Sequence, residues 1–411
     1  LRQAVLDKNL HWFNRYRATD GFSVFGGRSG LKFVDGQTNY VVMQRELAML
    51  DTMTANRDKR IWALAAGQDQ AAEDNNLPDP VPVVSNKQGS GDDGQHIFLS
   101  GTEAIGKMET AKGMSIGLFA SEEEFPELIN PVQAAVDPDG RLWVATWPSY
   151  PHWNPKQELN DQLLILEDHD ADGKCDQVKV FADKLHNPTG LEFWGGGVIV
   201  AQTPDLMFLK DTDGDDVADV RIRMMHGIDS ADTHHTANSF TIGPSGWLYF
   251  QRGVFHFTNI ETPWGKPVRD TRSAVYRFDP LTWKFEYHFS VGPNPHGDTF
   301  DDWGHQFVTD GTTGRGFYVG FPQKGAPKEL FQKVHRPVPA IAILSSQHFP
   351  DELQGNLLIC NVIGFQGIAQ YKFVDAGSGF HAEQGETILS SSDPNYRPSD
   401  LELGGEGALY F

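Results

Sequence analysis

Two adjacent histidines, His234 and His235, stand in the segment DTHHTANSF, with Asp232 just before them and Asn238 just after. Imidazole is the natural general base near neutral pH, and an acid two positions away is close enough in sequence to orient it. Asn187-Pro188 and Asn294-Pro295-His296 bring further amide and imidazole groups, and Asn130-Pro131 repeats the Asn-Pro pattern. A different chemistry is written in LLILEDHDADGKCD and LMFLKDTDGDDVAD. Asp168, Asp170, Asp172 and Asp176 follow an i, i+2, i+4, i+8 array, and Asp211, Asp213, Asp215 and Asp219 repeat it. Alternate carboxylates on a tight loop converge on one point, which suits a hard cation such as Ca²⁺. The loops are not EF-hands, because position twelve holds Lys179 or Ile222 in place of a bidentate Glu. Two solvated hairpin tips are the competing reading. In WPSYPHW, Trp147, Tyr150 and Trp153 are either a wall for stacking a sugar ring or core aromatics.

These groups need elements to hold them, and a repeat supplies them. NPVQAAVDPDGRLWVAT, NPTGLEFWGGGVIVAQ, TANSFTIGPSGWLYFQRG, NPHGDTFDDWGHQFVTDG and PSDLELGGEGALYF each show a polar lead-in, an alternating strand, a Gly-centred turn and a second apolar strand. A weaker copy is DELQGNLLICNVIGFQG. The turn glycines Gly140, Gly196, Gly246, Gly304, Gly355 and Gly407 fall 50–58 residues apart, the period of propeller blades. Stacking such sheets radially buries both faces of each and protects their edges. The expectation is an all-β, six-bladed β-propeller over 97–411 with a truncated last blade, closed by an outer strand from Met114–Ser121. The residues just before each inner strand, Asn130, Asn187, His234, His235, Asn238, Asn294 and His296, then face the central channel.

Residues 1–67 read differently: two helices, LRQAVLDKNLHWFNRYR and YVVMQRELAMLDTMTANRDKRIWALAAG, flank a Gly-rich segment. The second helix has apolar residues near helical spacing at Met43, Leu47, Leu50, Met53, Ile61 and Leu64, and Gly67 is its stop. Residues 68–96, rich in Asp, Asn, Pro, Gly and Ser, read as a linker. A net charge of −21, from 55 acids and 34 bases, argues against nucleic acid as a partner. No apolar run is long enough to span a membrane. Cys175 and Cys360 form neither CxxC nor CxxCH, and whether they pair is open. LRQAVLDKN and ALYF read as cut ends, so a missing targeting signal says nothing about localisation.

HHTANSFTIGPSGWLYF resembles the active-site strand of the soluble pyrroloquinoline-quinone (PQQ)-dependent sugar dehydrogenases, a six-bladed propeller superfamily. There a catalytic His stands eight residues before a Gly-Pro turn. His235 stands eight before Gly243-Pro244, so the resemblance implies that His235 takes the hydroxyl proton of a sugar while hydride passes to the quinone. NPHG resembles that family's cofactor-contacting Arg-Asn-Pro-x-Gly. Asn294 matches its Asn, and Pro293 stands where its Arg would be. The span 97–411 also resembles large extracytoplasmic proteins described as membrane-bound dehydrogenases. These carry a sorbosone-dehydrogenase-like propeller and often a C-terminal haem-binding CxxCH domain. The motifs are NPVQAAVDPDGRLWVATWPSYPHW, LILEDHDADGK, HNPTGLEF, DTHHTANSF and NVIGFQGI. NLHWFNRYR resembles the tail that follows an SGNH-type esterase domain in some of them, without that esterase's catalytic motifs.

The resulting expectation is a periplasmic or extracellular oxidoreductase that oxidises a sugar or other alcohol or aldehyde with PQQ. His235 is the base, supported by His234 or Asp232. Asn294, His296, Asn187 and Asn238 contact the cofactor. Ca²⁺ sits in the acidic loops, and a haem domain or cytochrome accepts the electrons. A Ca²⁺-dependent lactonase-type hydrolase and a non-catalytic carbohydrate-binding or scaffold propeller are the alternatives.

Overall fold

The structure, a computed structural model, describes every residue except 35–36, 82–90, 151–156, 321–324 and 333–334. The chain divides into two compact units. One comprises 1–96, 149–158 and 230–234, and the other comprises 97–148, 159–229 and 235–411.

The first unit is built on helices Arg2–Tyr16 and Asn39–Ala65. Thr38 starts the longer one by accepting the Val41 N–H at 3.4 Å. Gly67, at φ +78°, follows its end, where a left-handed residue terminates the helix at little steric cost. Met43, Leu47, Leu50 and Met53 are buried, while Ile61 and Leu64 are half-buried. The Gly-rich segment contains a single helical turn, Phe22–Phe25. Arg57 clamps Asp7 at 3.0 Å and Asp74 at 2.9 Å. Asn56 donates to Asp74 and Asn76 at 2.9 Å each, so part of the stretch read as linker is tied to the long helix. Among the described residues, no helix is long and apolar enough to cross a membrane.

The second unit is all-β, with a propeller-like succession of antiparallel sheets. Blade 1 contains Pro131–Val136, Leu142–Thr146, Asp161–Glu167 and Gln177–Leu185. Blade 2 contains Pro188–Trp194, Gly197–Gln202, Asp205–Lys210 and Val220–His226. Blade 3 contains Asn238–Ile242, Leu248–Arg252, Ala274–Asp279 and Lys284–Phe289. Blade 4 contains Pro295–Phe300, Gln306–Asp310, Arg315–Val319 and Lys328–Phe331. Blade 5 runs Ile341–Ile343, Leu357–Val362, Gln366–Ala376, Leu389–Ser391 and Met108–Thr110, with Gly379–Gln384 on the end of its long strand. All six anchor glycines have positive φ (73–96°) and sit in the hairpins between first and second strands. A residue with a Cβ is strained in that conformation.

The blade count differs from expectation: the described residues form five blades, not six. The sixth anchor, Gly407, turns only a two-stranded hairpin, Glu402–Leu403 with Leu409–Tyr410. Leu403 and Leu409 pack on the blade-5 core of Leu358, Cys360 and Ile368. Tyr410 packs on Leu142, Leu164 and Leu166 of blade 1. The hairpin thereby covers the apolar faces that blades 5 and 1 would otherwise expose. The closing strand also differs. Met108–Thr110 pairs with Leu389–Ser391 of blade 5, whereas Met114–Ser121 forms no strand and contributes Met114, Ile116 and Phe119 to apolar packing. Cys175 and Cys360 are separate buried thiols in blades 1 and 5 and do not pair.

Candidate functional site

The single turn Thr233–His235 precedes the inner strand of blade 3, and the division between the two units falls between His234 and His235. In the second unit, the half-buried His235 is fixed from two sides. Its carbonyl accepts the Gly253 N–H at 2.9 Å, and its ring stacks on Phe255 with centroids 5.6 Å apart and planes at 24°. Gly253 directly follows the second strand of blade 3. A Cβ there would stand 2.8 Å from the His235 Cβ and 2.9 Å from the Asn294 Oδ1. One backbone position therefore separates the imidazole of blade 3 from the amide that leads into blade 4, and only glycine fits between them.

Asn294 is held by the fully buried Asp310, which accepts its N–H at 2.8 Å and that of Thr313 at 3.1 Å. The Asn294 Oδ1 is buried and has no hydrogen-bond partner among the described residues. Blade 2 repeats the device. The buried Asp161 accepts the Asn187 N–H at 2.9 Å, and the Asn187 Nδ2 is left without a partner among the described residues. His296 lies on the inner strand of blade 4, where its carbonyl accepts the Thr309 hydroxyl. Asn238 behaves differently: its amide donates to the Thr236 carbonyl at 2.9 Å and its Oδ1 accepts the Ser239 hydroxyl at 2.9 Å. That side chain shapes the strand's start, with Ser239 at φ +53°. Asn130 likewise turns its amide onto the Trp147 carbonyl at 3.3 Å.

In the first unit, Asp232 is wholly buried, with the Arg28 guanidinium 2.9 Å from its Oδ2. Its Oδ1 accepts the His234 N–H at 3.2 Å and lies 3.6 Å from His234 Nδ1. The opposite ring nitrogen, Nε2, meets the Tyr150 hydroxyl at 2.9 Å. Asp232, His234 and Tyr150 thus form a chain anchored by Arg28, a residue that sequence reasoning missed. Burial pushes the Tyr150 phenol up. Trp147 is only 4% exposed and is a core residue, so it offers no face to a sugar. Trp153 lies outside the described residues.

The acidic loops close as tips, and only part of each array converges. Oxygens of Asp168, Asp170 and Asp176 lie within 4.8 Å of one another, as do those of Asp211, Asp213 and Asp215. Asp172 and Asp219 are not in these groups. Asp172 Oδ1 accepts the Lys174 N–H at 2.9 Å, and Asp219 accepts the Thr212 hydroxyl at 2.5 Å. The backbone N–H of Gly214 and others hold the Asp211 carboxyl below its usual range, while Asp215 and then Asp211 push Asp213 up. Asp216, at position six of the second loop, pairs with Arg141 at 2.9 Å and Lys179 at 2.7 Å, tying blade 2 to blade 1.

Residues 100–335, more than half of the chain, match a family model described as "Domain of unknown function (DUF7133)". The chain belongs to the DUF7133 family. No curated protein matches it. Among solved structures, the DUF7133 chain is similar to the PQQ domain of pyranose dehydrogenase from Coprinopsis cinerea, at 12% identity and a TM-score of 0.49, over 74% of this chain and 93% of that one. It is also similar to a luciferin-regenerating enzyme, at 13% identity and a TM-score of 0.46, over 68% and 83%. A third is the calcium-binding protein regucalcin from Agrobacterium tumefaciens, at 14% identity and a TM-score of 0.44, over 68% and 79%. Likeness at this level assigns no activity.

The Asp310 anchor of the DUF7133 propeller yields a direct prediction. Asp310→Ala removes the acceptor for the Asn294 and Thr313 N–H groups at a fully buried site. Leaving such donors unsatisfied costs roughly 2–4 kcal/mol. Urea denaturation should show a lowered midpoint with an unchanged m-value. A midpoint within error of the parent would mean that Asp310 does not hold the Asn294 lead-in.

Proposed function

We propose that this DUF7133 propeller is an oxidoreductase that oxidises a hydroxyl group of a sugar or other alcohol, with His235 as general base. The observation that carries this reading is the His235–Gly253–Asn294 arrangement, in which a fixed imidazole stands beside an amide whose Oδ1 lacks a partner among the described residues. His235 takes the proton from the substrate hydroxyl oxygen. Phe255 holds the ring face, and Asp310 holds the Asn294 backbone so that the amide stays presented.

PQQ is the cofactor implied by the resemblance, and when bound it supplies the hydride acceptor. The amides of Asn294 and Asn187 fit it as hydrogen-bonding groups, one presenting an acceptor and the other a donor. Its carboxylates would also need cationic partners, and here the described residues do not fit. Pro293 occupies the position of the expected Arg. The neighbouring Arg252 turns its guanidinium to the Gly253 and Arg272 carbonyls and the Tyr276 hydroxyl. Electrons would leave through a haem domain or cytochrome in an extracytoplasmic compartment.

The test is a binding titration with PQQ and Ca²⁺, followed by dye reduction over a panel of sugars and alcohols, with lactone hydrolysis measured in parallel. Quinone binding and dye reduction support the reading. Lactone hydrolysis without dye reduction would move the assignment to a hydrolase, and sugar binding without turnover to a carbohydrate-binding module.

We also propose that the two acidic tips hold structural Ca²⁺, through Asp168, Asp170 and Asp176 and through Asp211, Asp213 and Asp215. Saturating Ca²⁺ at a hundred times its dissociation constant would stabilise by about 2.7 kcal/mol per site. The melting temperature is expected to rise with Ca²⁺, with the gain reduced in Asp168→Asn and in Asp211→Asn. A gain equal in both variants to that of the parent would remove the ions from these loops.

A further inference from the structure

Residues 253–273 join the second and third strands of blade 3. In blades 2, 4 and 5 the same join takes only 203–204, 311–314 and 363–365. The first part of the long connection is tied down on both sides. The Val254 N–H donates to the Pro293 carbonyl at 2.9 Å, on the lead-in to blade 4. On the other side the buried Asp229, just past the last strand of blade 2, holds two consecutive residues. Its Oδ2 accepts the Phe257 N–H at 2.6 Å, and its carbonyl accepts from His256 Nδ1 at 2.9 Å. The Asn259 N–H then donates to the Gly227 carbonyl at 3.0 Å, and His226 bridges Glu261. Gly227 has φ +111°, and a Cβ there would collide with the Asn259 carbonyl. The connection is therefore a strap from the lead-in of blade 4 to the exit of blade 2, with Phe255 between its fastenings.

Phe255 itself carries strain. Its φ is +73°, a left-handed backbone that a bulky side chain adopts only where its surroundings impose it. Among the described residues, Trp283 is the other aromatic in that region. It sits in the turn between the outer strands of blade 3, where hairpin closure accounts for it. Phe255 closes no hairpin. It is 40% exposed, so burial of the ring does not account for the strain either. What the conformation achieves is the stack on His235, with centroids 5.6 Å apart and planes at 24°, within the range of offset-stacked rings.

We infer that the strap is a preorganising clamp on the candidate base, with Asp229 and Phe255 as positioning residues that hold the His235 imidazole in one orientation. The inference rests on the reading of His235 as general base. Asp229 acts through the strap. Its two bonds fix the backbone on the C-terminal side of Phe255, and the Pro293 carbonyl fixes it on the N-terminal side. With both sides fixed, the left-handed conformation persists and the phenyl ring stays on the imidazole. An imidazole able to turn loses the geometry in which its nitrogen faces the hydroxyl proton, and misplacement on the ångström scale costs rate.

The test reads the ring directly. In protein with isotope-labelled histidine, His235→Gln identifies the His235 magnetic resonance signals. In the parent, the stack is expected to hold those ring-proton signals upfield of the open-chain position. Phe255→Gly is expected to move them towards it, and Phe255→Tyr, which keeps a ring in place, to retain the parent's positions. Asp229→Ala is expected to shift them in the same direction as Phe255→Gly. Glycine adopts the left-handed backbone without strain, so the melting temperature of Phe255→Gly should stay near the parent's. In dye reduction with an alcohol, kcat is expected to fall roughly tenfold to a hundredfold in Phe255→Gly, with KM little changed. Signals that stay put in Phe255→Gly or in a folded Asp229→Ala, or an undiminished kcat in Phe255→Gly, overturn the inference. Signals that move in a protein without dye reduction support the clamp and count against the oxidoreductase reading instead. If Asp229→Ala fails to fold, Phe255→Gly and Phe255→Tyr decide alone.

Discussion

His235→Gln is expected to lower kcat/KM for alcohol or aldose oxidation by about 10²–10⁴-fold, the usual contribution of a positioned general base. Glutamine keeps polarity and approximate size and leaves the backbone bond from Gly253 in place, while the ring stack on Phe255 is lost. What is lost is a group able to take the hydroxyl proton in the transition state. Loss in kcat with KM little changed would mark an interaction made only there. His234→Gln separates the two histidines. His234 is engaged with Tyr150 and Asp232 in the first unit, and its replacement is expected to cost much less. Should the two variants lose activity equally, or His235→Gln retain it, the base would have to be sought elsewhere. A thermal melt matching the parent's excludes unfolding as the cause.

The repeat was legible because hairpin turns impose a backbone that glycine alone adopts freely. All six anchor glycines have positive φ. The number of full blades was not legible from those turns. A Gly turn reports a hairpin between two strands, and at Gly407 the hairpin is all there is. The closing strand was missed because Met108–Thr110 is three residues long and carries no alternation to read. The acidic arrays show why spacing is weaker than geometry: alternate carboxylates share a loop, but Asp172 and Asp219 engage local donors. Trp147 was ambiguous by nature, since a large aromatic beside a strand end suits a core as well as a ligand wall. Arg28 on Asp232 and Asp229 on the Phe257 N–H join residues far apart in the chain. No local pattern encodes such pairs; only the folded chain brings them together.

The pH dependence of stability should change when His288 is replaced, by about 3 kcal/mol at most between neutral and acid pH. His288 lies on the outer strand of blade 3, 4.5 Å from the Phe289 ring and 5.7 Å from the Tyr249 ring, with Nε2 3.2 Å from Gln306 Oε1. Burial pushes its imidazole down to about 4. The Arg277 guanidinium acts in the same direction, and Gln306 and Glu286 oppose both. Above pH 6.5 the folded and unfolded chains both hold a neutral ring, so the group adds no pH dependence. As pH falls from 6.5 towards 4, the unfolded chain takes up a proton that the folded chain refuses, and folding stability declines. Glu192, raised to about 7, and Asp400, raised to about 6, work in the opposite sense, since burial favours their protonated forms as pH falls. The profile of the parent alone therefore mixes the contributions, and the difference between parent and His288→Gln isolates one. Urea unfolding at pH 7.5 and pH 4.5 should show the variant gaining about 2–3 kcal/mol relative to the parent at the lower pH. A difference constant between the two pH values would mean that the His288 ring protonates as readily in the fold as in the open chain.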